Sequence, residues 1–582
     1  MKLARVAAVL SAGLVCVGTA LAVHPAAATT APTLLRDKMA GRFLLTPPAP
    51  NTAHPQVIQP DTQIEPSIAV NPANPNNAVV GFQEGRVAGA GDETNGYATT
   101  FDGGSTWTYG EVPGLTYNVG GGPWDRASDA VVAFGPDNTV YYNSLVFDDS
   151  SMMGLCSSMA VNVSHDGGAH WSAPAFVQLG TNDCTGGTND KNWIVVDLGQ
   201  GSGHHYGRVY MVWDREAPVV YNYCDAGCDS ASNWLPNFLT ISLSQGLGAF
   251  PVILQDGSLG VAYTAITSPP IAFPNNEPDA QPGSTYIDWA LAPAAGSTVW
   301  PTPLTFTQTA IPVASLQSVC CRYQRAGGLL AAQADQGSGT VYITWEDPRF
   351  RTDAGGPLVN DVVLIASSDP HGLTWGPVTR VNPGPTNDFV DRYNPALAVG
   401  ADGTVHLMYR QRQEAAARTS FSLTIDTYYQ QSLDGGKTFS TPLRVDEQRT
   451  SSLYGAFSRA GLFEGDYDQL ATGGSLVYIA RDEAYPLSAG ETPGLVYSQA
   501  NDDYEGNPAG CAGGTIVPSC LTHLHQRTWV AVVGVASVRA SAGFPAAGAK
   551  PGAMSAWLPL AVVLGEAILL LALVAWRRRR PA

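Results

Sequence analysis

The stretch Thr100-Phe-Asp-Gly-Gly-Ser-Thr-Trp107 decides the fold, because close copies of it recur along the chain. The copies are Ser164-His-Asp-Gly-Gly-Ala-His-Trp171, Ser367-Ser-Asp-Pro-His-Gly-Leu-Thr-Trp375 and Ser432-Leu-Asp-Gly-Gly-Lys-Thr-Phe439. Their starts lie 64, 203 and 65 residues apart, and the middle interval is close to three repeats of about 68 residues. Degraded units fit around residues 242–246 and 296–300, and a last unit fits around residues 495–499. The spacing therefore predicts seven units.

Each unit has the pattern of four short antiparallel strands. In the sixth unit, short runs of alternating apolar and polar residues are separated by turn residues, and the runs are residues 394–399, 404–409, 427–430 and 443–445. A period of two that is interrupted by turns indicates strands rather than helices. Four strands per unit, repeated with an aromatic residue at a fixed place, describe a β-propeller. The predicted fold class is all-β, a six- or seven-bladed β-propeller, and the repeat count favours seven.

The repeated motif is predicted to be scaffold. Its Asp can accept backbone N–H bonds across a tight turn, its second Gly supplies a positive φ, and its aromatic residue can be buried between neighbouring sheets. The alternative is that these aspartates bind calcium or catalyse, and we rank it second because a recurrent turn usually serves structure. The predicted scaffold residues are Asp102, Trp107, Asp166, Trp171, Asp369, Trp375, Asp434 and Phe439.

The two ends of the chain are predicted to be targeting segments that lie outside the folded body. A basic N-terminus precedes an apolar run that ends on Ala20-Leu21-Ala22, which has the small-x-small form of a signal-peptidase site. Near the other end, a tryptophan-bounded apolar stretch precedes four arginines, and its length matches a hydrocarbon core of roughly 30 Å. We predict a signal peptide at 1–22, a disordered leader at 23–59, the propeller at 60–538, an Ala/Gly linker at 539–556, a transmembrane helix at 557–576 and a cytoplasmic basic tail at 577–582.

Charge and cysteine content narrow the choice of partners and compartment. A net charge of −18 works against counterion release from nucleic acid, so no nucleic-acid partner is predicted. Without Cys16, the eight remaining cysteines form an even set that favours disulfides in an exported chain. Their proximity suggests the pairs Cys156–Cys184, Cys224–Cys228 and Cys511–Cys520, although other pairings stay open. A zinc site at Cys224 and Cys228 ranks lower because no second pair matches it, and neither metal nor cofactor is predicted.

The motif Ser-x-Asp-x-Gly-x-Thr-Trp resembles the Asp-box, or BNR repeat, of the sialidase-like β-propellers, and the resemblance covers residues 60–538. It implies a bacterial, exported, membrane-anchored member, with these turns on the face opposite the active site. Sialidases add an arginine triad that binds the sialic-acid carboxylate, a Tyr nucleophile assisted by Glu, and an Asp acid/base. The Arg-Ile-Pro segment that carries the first arginine is missing here, where the stretch ahead of Thr100 offers Arg86. Asp-boxes also occur in propellers that hydrolyse nothing.

Candidate site residues lead into the first strands of several units, where a propeller opens onto its central channel. Arginine pairs well with a substrate carboxylate, and a tyrosine with a neighbouring carboxylate can act as a nucleophile with its base. The candidate catalytic residues are Asp125, Arg126, Arg322, Arg325, Asp391, Arg392, Tyr393, Glu464, Asp466 and Tyr467. The alternative, which we rank ahead of catalysis, is that the Asp–Arg pairs are salt bridges joining adjacent blades. His523 and His525 suit a metal by spacing but are predicted to be exposed polar residues.

Two functions follow from these residues. One is exo-α-sialidase-type glycoside hydrolysis, in which Arg126, Arg322 or Arg325, and Arg392 converge on the substrate carboxylate. The other is a non-catalytic surface propeller that binds carbohydrate or a protein. Long insertions at residues 217–237 and 269–283 are the expected specificity loops. In both cases the body lies on the extracellular side of the cell membrane, is held by a single helix, and meets a glycan or a cell-surface protein.

Overall fold

The computed structural model describes residues 31–41, 58–59, 61–87, 90–148, 156–177, 189–215, 218–242, 246–265, 284–292, 307–316, 324–325, 327–353, 359–414, 421–458, 461–485 and 525–536. Within these ranges the protein consists of β-strands in mainly antiparallel sheets and three short 3-10 turns, so the predicted all-β class is confirmed. No helix in them is long and apolar enough to cross a membrane. The predicted signal peptide, the linker, the span 557–576 and the basic tail all lie outside the described residues.

The N-terminal half forms four antiparallel sets of four strands. The first two sets are β2 Gln63–Asn71, β3 Asn74–Arg86, β4 Asp92–Thr100 and β5 Thr108–Glu111, then β6 Arg126–Phe134, β7 Val140–Phe147, β8 Ser157–Ser164 and β9 Ala175–Phe176. One bridge, between Asp92 and Ala127, joins them. The next two sets are β10 Asn189–Val196, β11 Val209–Arg215, β12 Val219–Cys224 and β13 Leu239–Ser242, then β14 Gly246–Ile253, β15 Leu259–Ala265, β16 Ser284–Ala292 and β17 Thr307–Leu316.

The C-terminal half continues the same pattern. Its sets are β19 Ala331–Ala334, β20 Val341–Asp347, β21 Asp361–Ala366 and β22 Thr379–Arg380, then β23 Val390–Val399, β24 Val405–Glu414, β25 Phe421–Ser432 and β26 Leu443–Arg444, with β27 Thr450–Ser451 against β25. A small sheet combines β18 Gln324–Arg325, β28 Ala456–Ser458 and β29 Gly461–Phe463. The 3-10 turns are Ala231–Asn233, Pro348–Phe350 and Ser452–Tyr454.

The last set is completed by both ends of the described chain. It comprises β30 Gln469–Gly473, β31 Leu476–Ala484 and β32 Gln526–Gly534, and its outer strand is β1 Thr33–Met39. Residues 33–39 belong to the segment predicted as a disordered leader, and for them that prediction is wrong, because β1 pairs with β32. The third position of this set, predicted at residues 495–499, is taken by β32, and residues 495–499 lie outside the described residues.

The first strands of these sets contact one another in sequence order. β2 packs against β6, β6 against β10, β10 against β14, β14 against β19, β19 against β23, β23 against β30, and β30 returns to β2. Between the sets lie apolar cores in which large side chains such as Trp213, Trp289 and Trp345 are fully buried. Burial of this apolar surface is the main stabilising contribution to the fold.

Each copy of the repeated motif forms the turn between the third and fourth strands of its set. In the first copy, Asp102 Oδ1 accepts hydrogen bonds from Thr106 N at 2.9 Å and from Thr100 Oγ1 at 2.8 Å. The second and fourth copies repeat this geometry with Asp166 and Asp434, and in the Ser367 copy Asp369 accepts from His371 N at 2.9 Å. These bonds satisfy backbone donors that the tight turn would otherwise leave open.

The aromatic residue of the motif packs between neighbouring sheets where the structure shows its contacts. Trp171 lies edge-on to Tyr97 of β4 and Tyr142 of β7, with ring centres 5.4 and 5.5 Å apart. Trp375 lies edge-on to Trp289 of β16, at 5.9 Å. Each such pair ties one sheet to the next.

Candidate functional site

The candidates Asp125 and Arg126 lie at the start of β6 and the candidates Asp391, Arg392 and Tyr393 at the start of β23, next to β-bulges, whereas Glu464, Asp466 and Tyr467 lie between β29 and β30. β-Bulges also occur in β2 and β10. The register shifts between Ile64 and Ser67, Ser128 and Val131, Asp190 and Trp193, and Tyr393 and Ala396. Three residues inside these bulges have positive φ although they are not glycine: Glu65 at 53°, Asp129 at 46° and Asn394 at 48°. Such a conformation costs on the order of 1–3 kcal/mol and persists only where the surroundings determine it. The bulges re-aim the polar side chains beside them.

Tyr393 and Glu464 form the centre of the candidate site. Tyr393 Oη donates a hydrogen bond to Glu464 Oε2 at 2.6 Å, and Ser452 Oγ donates to Glu464 Oε1 at 2.5 Å. The Arg412 guanidinium lies 5.7 Å from the Tyr393 ring centre. Tyr393 is 0% and Glu464 is 3% exposed. Burial, followed by the charge of Glu464, raises the pKa of Tyr393 well above its usual value, so the phenol keeps its proton at neutral pH.

Two arginines that sequence reasoning missed lie beside this pair on β24. The ladder between β23 and β24 sets Tyr393 opposite Arg410 and Asp391 opposite Arg412. Arg410 Nε contacts Asp468 Oδ2 at 2.5 Å, and its Nη2 contacts Asp482 Oδ1 at 2.8 Å, in a fully buried cluster. The available signal was the alternation Arg410-Gln-Arg412, which places two cations on one face of a strand.

Asp391 and Arg392 belong to an adjacent ion-pair network. Arg392 Nη2 lies 2.8 Å from Asp388 Oδ2, and its Nη1 lies 3.5 Å from Asp361 Oδ1. Asp391 Oδ1 accepts the N–H of Asn360 at 2.7 Å. Burial raises the pKa of Asp391, while Arg412 opposes this shift. Arg392 is therefore engaged by carboxylates of its own neighbourhood, as the salt-bridge alternative requires.

A second group of buried carboxyls lies at the start of β4. Arg86 Nη1 contacts Asp92 Oδ2 at 3.3 Å, and the Arg86 guanidinium stacks 4.5 Å from the ring centre of Phe463, the residue before Glu464. Burial raises the pKa of Asp92 to about 7 in spite of Arg86, and it raises the pKa of Glu93 to about 7. Sequence reasoning missed both carboxyls because they stand inside a strand.

The predicted Asp125 and Arg126 are both buried beside this second group. Arg126 Nη1 donates to the Ala90 carbonyl at 2.7 Å, and its charge acts on Asp92 and Glu93. Arg126 and Arg392 thus hold different partners, and the predicted convergence of arginines is not seen for these two. Arg325 lies in β18, but its side chain, like the whole of Arg322, is outside the described part of the chain.

Tyr467 and Asp466 lie on the central cavity rather than beside Tyr393. The cavity is small, about 20 Å³, and is lined by residues of five successive sets, among them Lys191, Phe250 and Asn394. Lys191 Nζ lies 3.5 Å from the Tyr467 ring centre and 4.0 Å from Asp129 Oδ1. Burial lowers the pKa of Lys191 against the carboxylates around it. A cavity of this size holds about one water molecule.

The remaining sequence expectations have mixed outcomes. His525 was expected to be exposed, and this is wrong: it is 2% exposed, and its Nδ1 lies 2.7 Å from Asp61 Oδ2. His523 and the insertion 269–283 lie outside the described residues. The predicted Cys224–Cys228 disulfide is confirmed. Within the described ranges, no group of three His, Cys, Asp or Glu side chains could hold a metal ion.

The other predicted specificity loop, residues 217–237, lies away from Tyr393. Its residues beyond Cys224 connect β12 to β13, the position that the repeated motif occupies in other sets. Asp229 of this loop lies 3.8 Å from His165 of the second motif copy. The loop therefore belongs to the end of the sheets that carries the repeated turns.

No family model matches this chain, and no curated protein matches it. Among solved structures, an intramolecular trans-sialidase from Ruminococcus gnavus matches at 12% identity and TM-score 0.39, over 66% of this chain and 96% of that one. An ulvan lyase matches at 12% identity and TM-score 0.41, over 73% and 92%. An α-L-arabinofuranosidase from Fusarium graminearum matches at 12% identity and TM-score 0.36, over 62% and 91%. Similarity this low assigns no activity to the chain.

Proposed function

We propose that this chain is an exported, membrane-anchored, seven-bladed propeller of the sialidase-like type that hydrolyses glycosides at the cell surface. The observation that carries the hydrolytic part is the hydrogen bond of 2.6 Å from Tyr393 Oη to Glu464 Oε2. The series of contacts between first strands, which returns from β30 to β2, supports the blade count. The apolar run at the N-terminus and the stretch 557–576 support export and anchoring.

The proposed reaction uses two carboxyls in different roles. Glu464 accepts the phenolic proton while Tyr393 Oη bonds to the anomeric carbon, and the bond to the leaving oxygen breaks. That oxygen takes a proton from a carboxyl that is still protonated near neutral pH, and burial gives Asp92 and Glu93 this property. Water then attacks the anomeric carbon and gives one proton to the carboxylate that had protonated the leaving oxygen, while the bond from the anomeric carbon to Tyr393 Oη breaks and Tyr393 recovers its proton from Glu464.

The test is turnover of a fluorogenic aryl sialoside by the full chain, with a neutral aryl glycoside in a parallel assay. We expect Tyr393→Phe and Glu464→Gln each to lower kcat/KM at least about 100-fold, since each removes a group that acts at the reacting atoms. Tyr467→Phe is the matched control, because Tyr467 is equally buried but faces Lys191, and we expect less than about threefold change. Full activity of Tyr393→Phe would overturn the proposal.

A second candidate, a propeller that binds carbohydrate or protein without hydrolysis, is favoured by two observations. Tyr393 is fully buried, and the Arg410 guanidinium is saturated by Asp468 and Asp482. Both fit a cluster that holds the sheets together rather than one that receives a sugar. In this case neither substrate is turned over, and Tyr393→Phe changes the melting temperature but leaves ligand binding unaltered. A glycan array probed with the full chain in micelles distinguishes this outcome from inactivity through misfolding.

A further inference from the structure

Large exposed apolar side chains collect at one end of the sheets. Six such side chains are exposed among the described residues, and five of them share the end that carries the repeated turns: Leu35 at 47%, Phe101 at 51%, Tyr206 at 47%, Leu373 at 43% and Leu433 at 44% exposure. Tyr117, at 41%, lies instead in the loop that leads from β5 to β6. Single exposed apolar residues are ordinary, and these five come from five different sets, but a flat surface that lies against this end would meet all of them. We call these five residues the apolar rim.

Contacts between neighbouring turns and hairpins place the apolar rim on a single end. Phe101, Leu373 and Leu433 are themselves members of the repeated turns. Leu35 precedes Arg36, whose Nη1 donates to Ser105 Oγ of the first turn at 2.9 Å. The hairpin that holds Tyr206 contacts the hairpin that holds Gln255, because His204 Nε2 lies 3.0 Å from the Gln255 carbonyl. The Gln255 hairpin in turn contacts the turn of Leu373, because Asp256 lies 2.9 Å from His371. Tyr206 and Leu373 therefore lie at the same end of the sheets.

The candidate site lies at the opposite end, and the chain leaves from the rim. β32 begins at Gln526, whose side chain bonds Asp482 beside Arg410, and it ends at Gly534, next to Leu35. Val535 N then donates to the Ser475 carbonyl at 2.9 Å. About 20 residues, which include the predicted Ala/Gly linker, separate this point from the stretch 557–576, and a coil of that length has a root-mean-square span of about 25 Å. A body anchored through 557–576 would thus carry its apolar rim close to the bilayer.

We propose that the apolar rim rests on the lipid surface, so that the Tyr393 end points away from the membrane. The proposal rests on the anchoring part of the proposed function. The tether supplies a high local concentration of bilayer, so weak insertion of a few side chains suffices to hold the orientation. The same end carries Asp102, Asp166 and Asp434, whose carboxylates keep a negative charge at neutral pH because hydrogen bonds within their turns lower their pKa in spite of burial. This charge favours a zwitterionic over an anionic lipid surface.

The experiment is hydroxyl-radical footprinting of the full chain in phosphatidylcholine vesicles, with the same chain in detergent micelles as the comparison. We expect oxidation of Phe101, Leu433 and Tyr206 to be at least about threefold slower in vesicles, while oxidation of Tyr117 stays the same. In the variant Phe101→Ser/Leu373→Ser/Leu433→Ser, Tyr206 in vesicles should be oxidised as fast as it is in micelles. Tyr117→Ser is the matched control and should leave the protection of the rim unchanged.

Two failures are distinguishable. If the chain does not float with the vesicles, the anchor and this proposal both fall, and the hydrolytic part of the proposed function is untouched. If the chain floats but Phe101, like Tyr117, is oxidised at the same rate in vesicles as in micelles, only the proposed orientation falls. Protection that persists in the triple serine variant also overturns it, because the contact then does not depend on the apolar rim.

Discussion

Arg410 is a buried side chain that stabilises the fold through two ion pairs. It is bound by both Asp468 and Asp482, and all three side chains are buried. Arg410→Met would leave two carboxylates in the interior without a counter-charge, so we expect the free energy of unfolding to fall by about 3–5 kcal/mol in urea denaturation. Arg449→Ala breaks an exposed pair with Asp426 and serves as the control, with an expected loss below about 1 kcal/mol. Equal losses would contradict the structural role of Arg410.

At the same scale, the sequence could predict only part of the candidate site. Tyr393 and Glu464 were both predicted as candidates, because residues that lead into the first strands of a repeat meet at the central channel, but their pairing was one of several tyrosine–carboxylate pairs left open. Asp92, Arg410 and Arg412 were not predicted, because none of them leads into the first strand of a set: Asp92 begins the third strand β4, and the two arginines lie in the second strand β24. All three side chains are buried. A charge is stable in such a place only when a distant part of the chain supplies its partner, as Asp468 does for Arg410 across 58 residues. The residue pattern within one strand does not show which distant residue pairs with a buried charge.

At the scale of elements, the repeated turn contributes stability through its aspartate. Asp434 accepts hydrogen bonds from Ser432 Oγ, Thr438 N and Thr438 Oγ1, and Asp434→Ala removes all of them. We expect the free energy of unfolding to fall by about 1–3 kcal/mol, the net contribution that hydrogen bonds to a charged acceptor usually make. Lys437→Ala, in the same turn and exposed, should change it by less than about 0.5 kcal/mol. Thermal denaturation of both variants side by side checks the difference.

The strand β1 is the element that the sequence pattern missed. Residues 33–39 follow a segment rich in Pro, Ala and Thr, and their single alternation is too short to separate a strand from a leader. The structure places Asp37 of this strand 2.6 Å from Arg481 Nη2, with both side chains fully buried. By contrast, all four strands of the sixth unit were predicted, because Gly and Asp mark the turns between them, although β23 begins at Val390 rather than at residue 394 and β24 ends at Glu414 rather than at residue 409.

The Asp37 contact gives β1 a measurable share of the stability. Asp37→Ala leaves Arg481 with Glu483 as its remaining carboxylate partner and should lower the free energy of unfolding by about 3 kcal/mol. Lys38→Ala, at the next position of the strand and exposed, should cost less than about 0.5 kcal/mol. If the two variants unfold alike in urea, β1 is a passive edge strand.

At the scale of the whole molecule, buried carboxyls set the pH dependence of stability. Burial raises the pKa of Asp92 and Glu93 to about 7, and it also raises the pKa of Asp482 and Glu483. The folded state therefore binds more protons than the unfolded state above pH 4, and stability falls as pH rises through the folded pKa values. Between pH 5 and 7.5 we expect the melting temperature to decrease, with each such carboxyl contributing at least about 1 kcal/mol.

Asp92→Asn separates this effect from a general loss of stability. The variant cannot ionise at this position, so its melting temperature should fall less between pH 5 and 7.5 than that of the parent chain. Asp102→Asn is the control, since hydrogen bonds in its turn lower the pKa of Asp102 in spite of burial, and it is ionised in both states over this window. The control should shift the whole curve without changing its slope. Parallel curves for Asp92→Asn and the parent would contradict the assignment.

The pairing of β1 with β32 has a consequence for biosynthesis. The first described strand finds its neighbour only after residue 534 has been made, so the last sheet stays open for nearly the whole of translation. A chain that stops before Gln526 presents β31 with an unpaired edge, and β1 is left without its neighbour. Unpaired edges invite joining between molecules. Premature termination of this protein should therefore give aggregates rather than shorter soluble proteins, and a chaperone that binds β1 until β32 has been synthesised should reduce this aggregation.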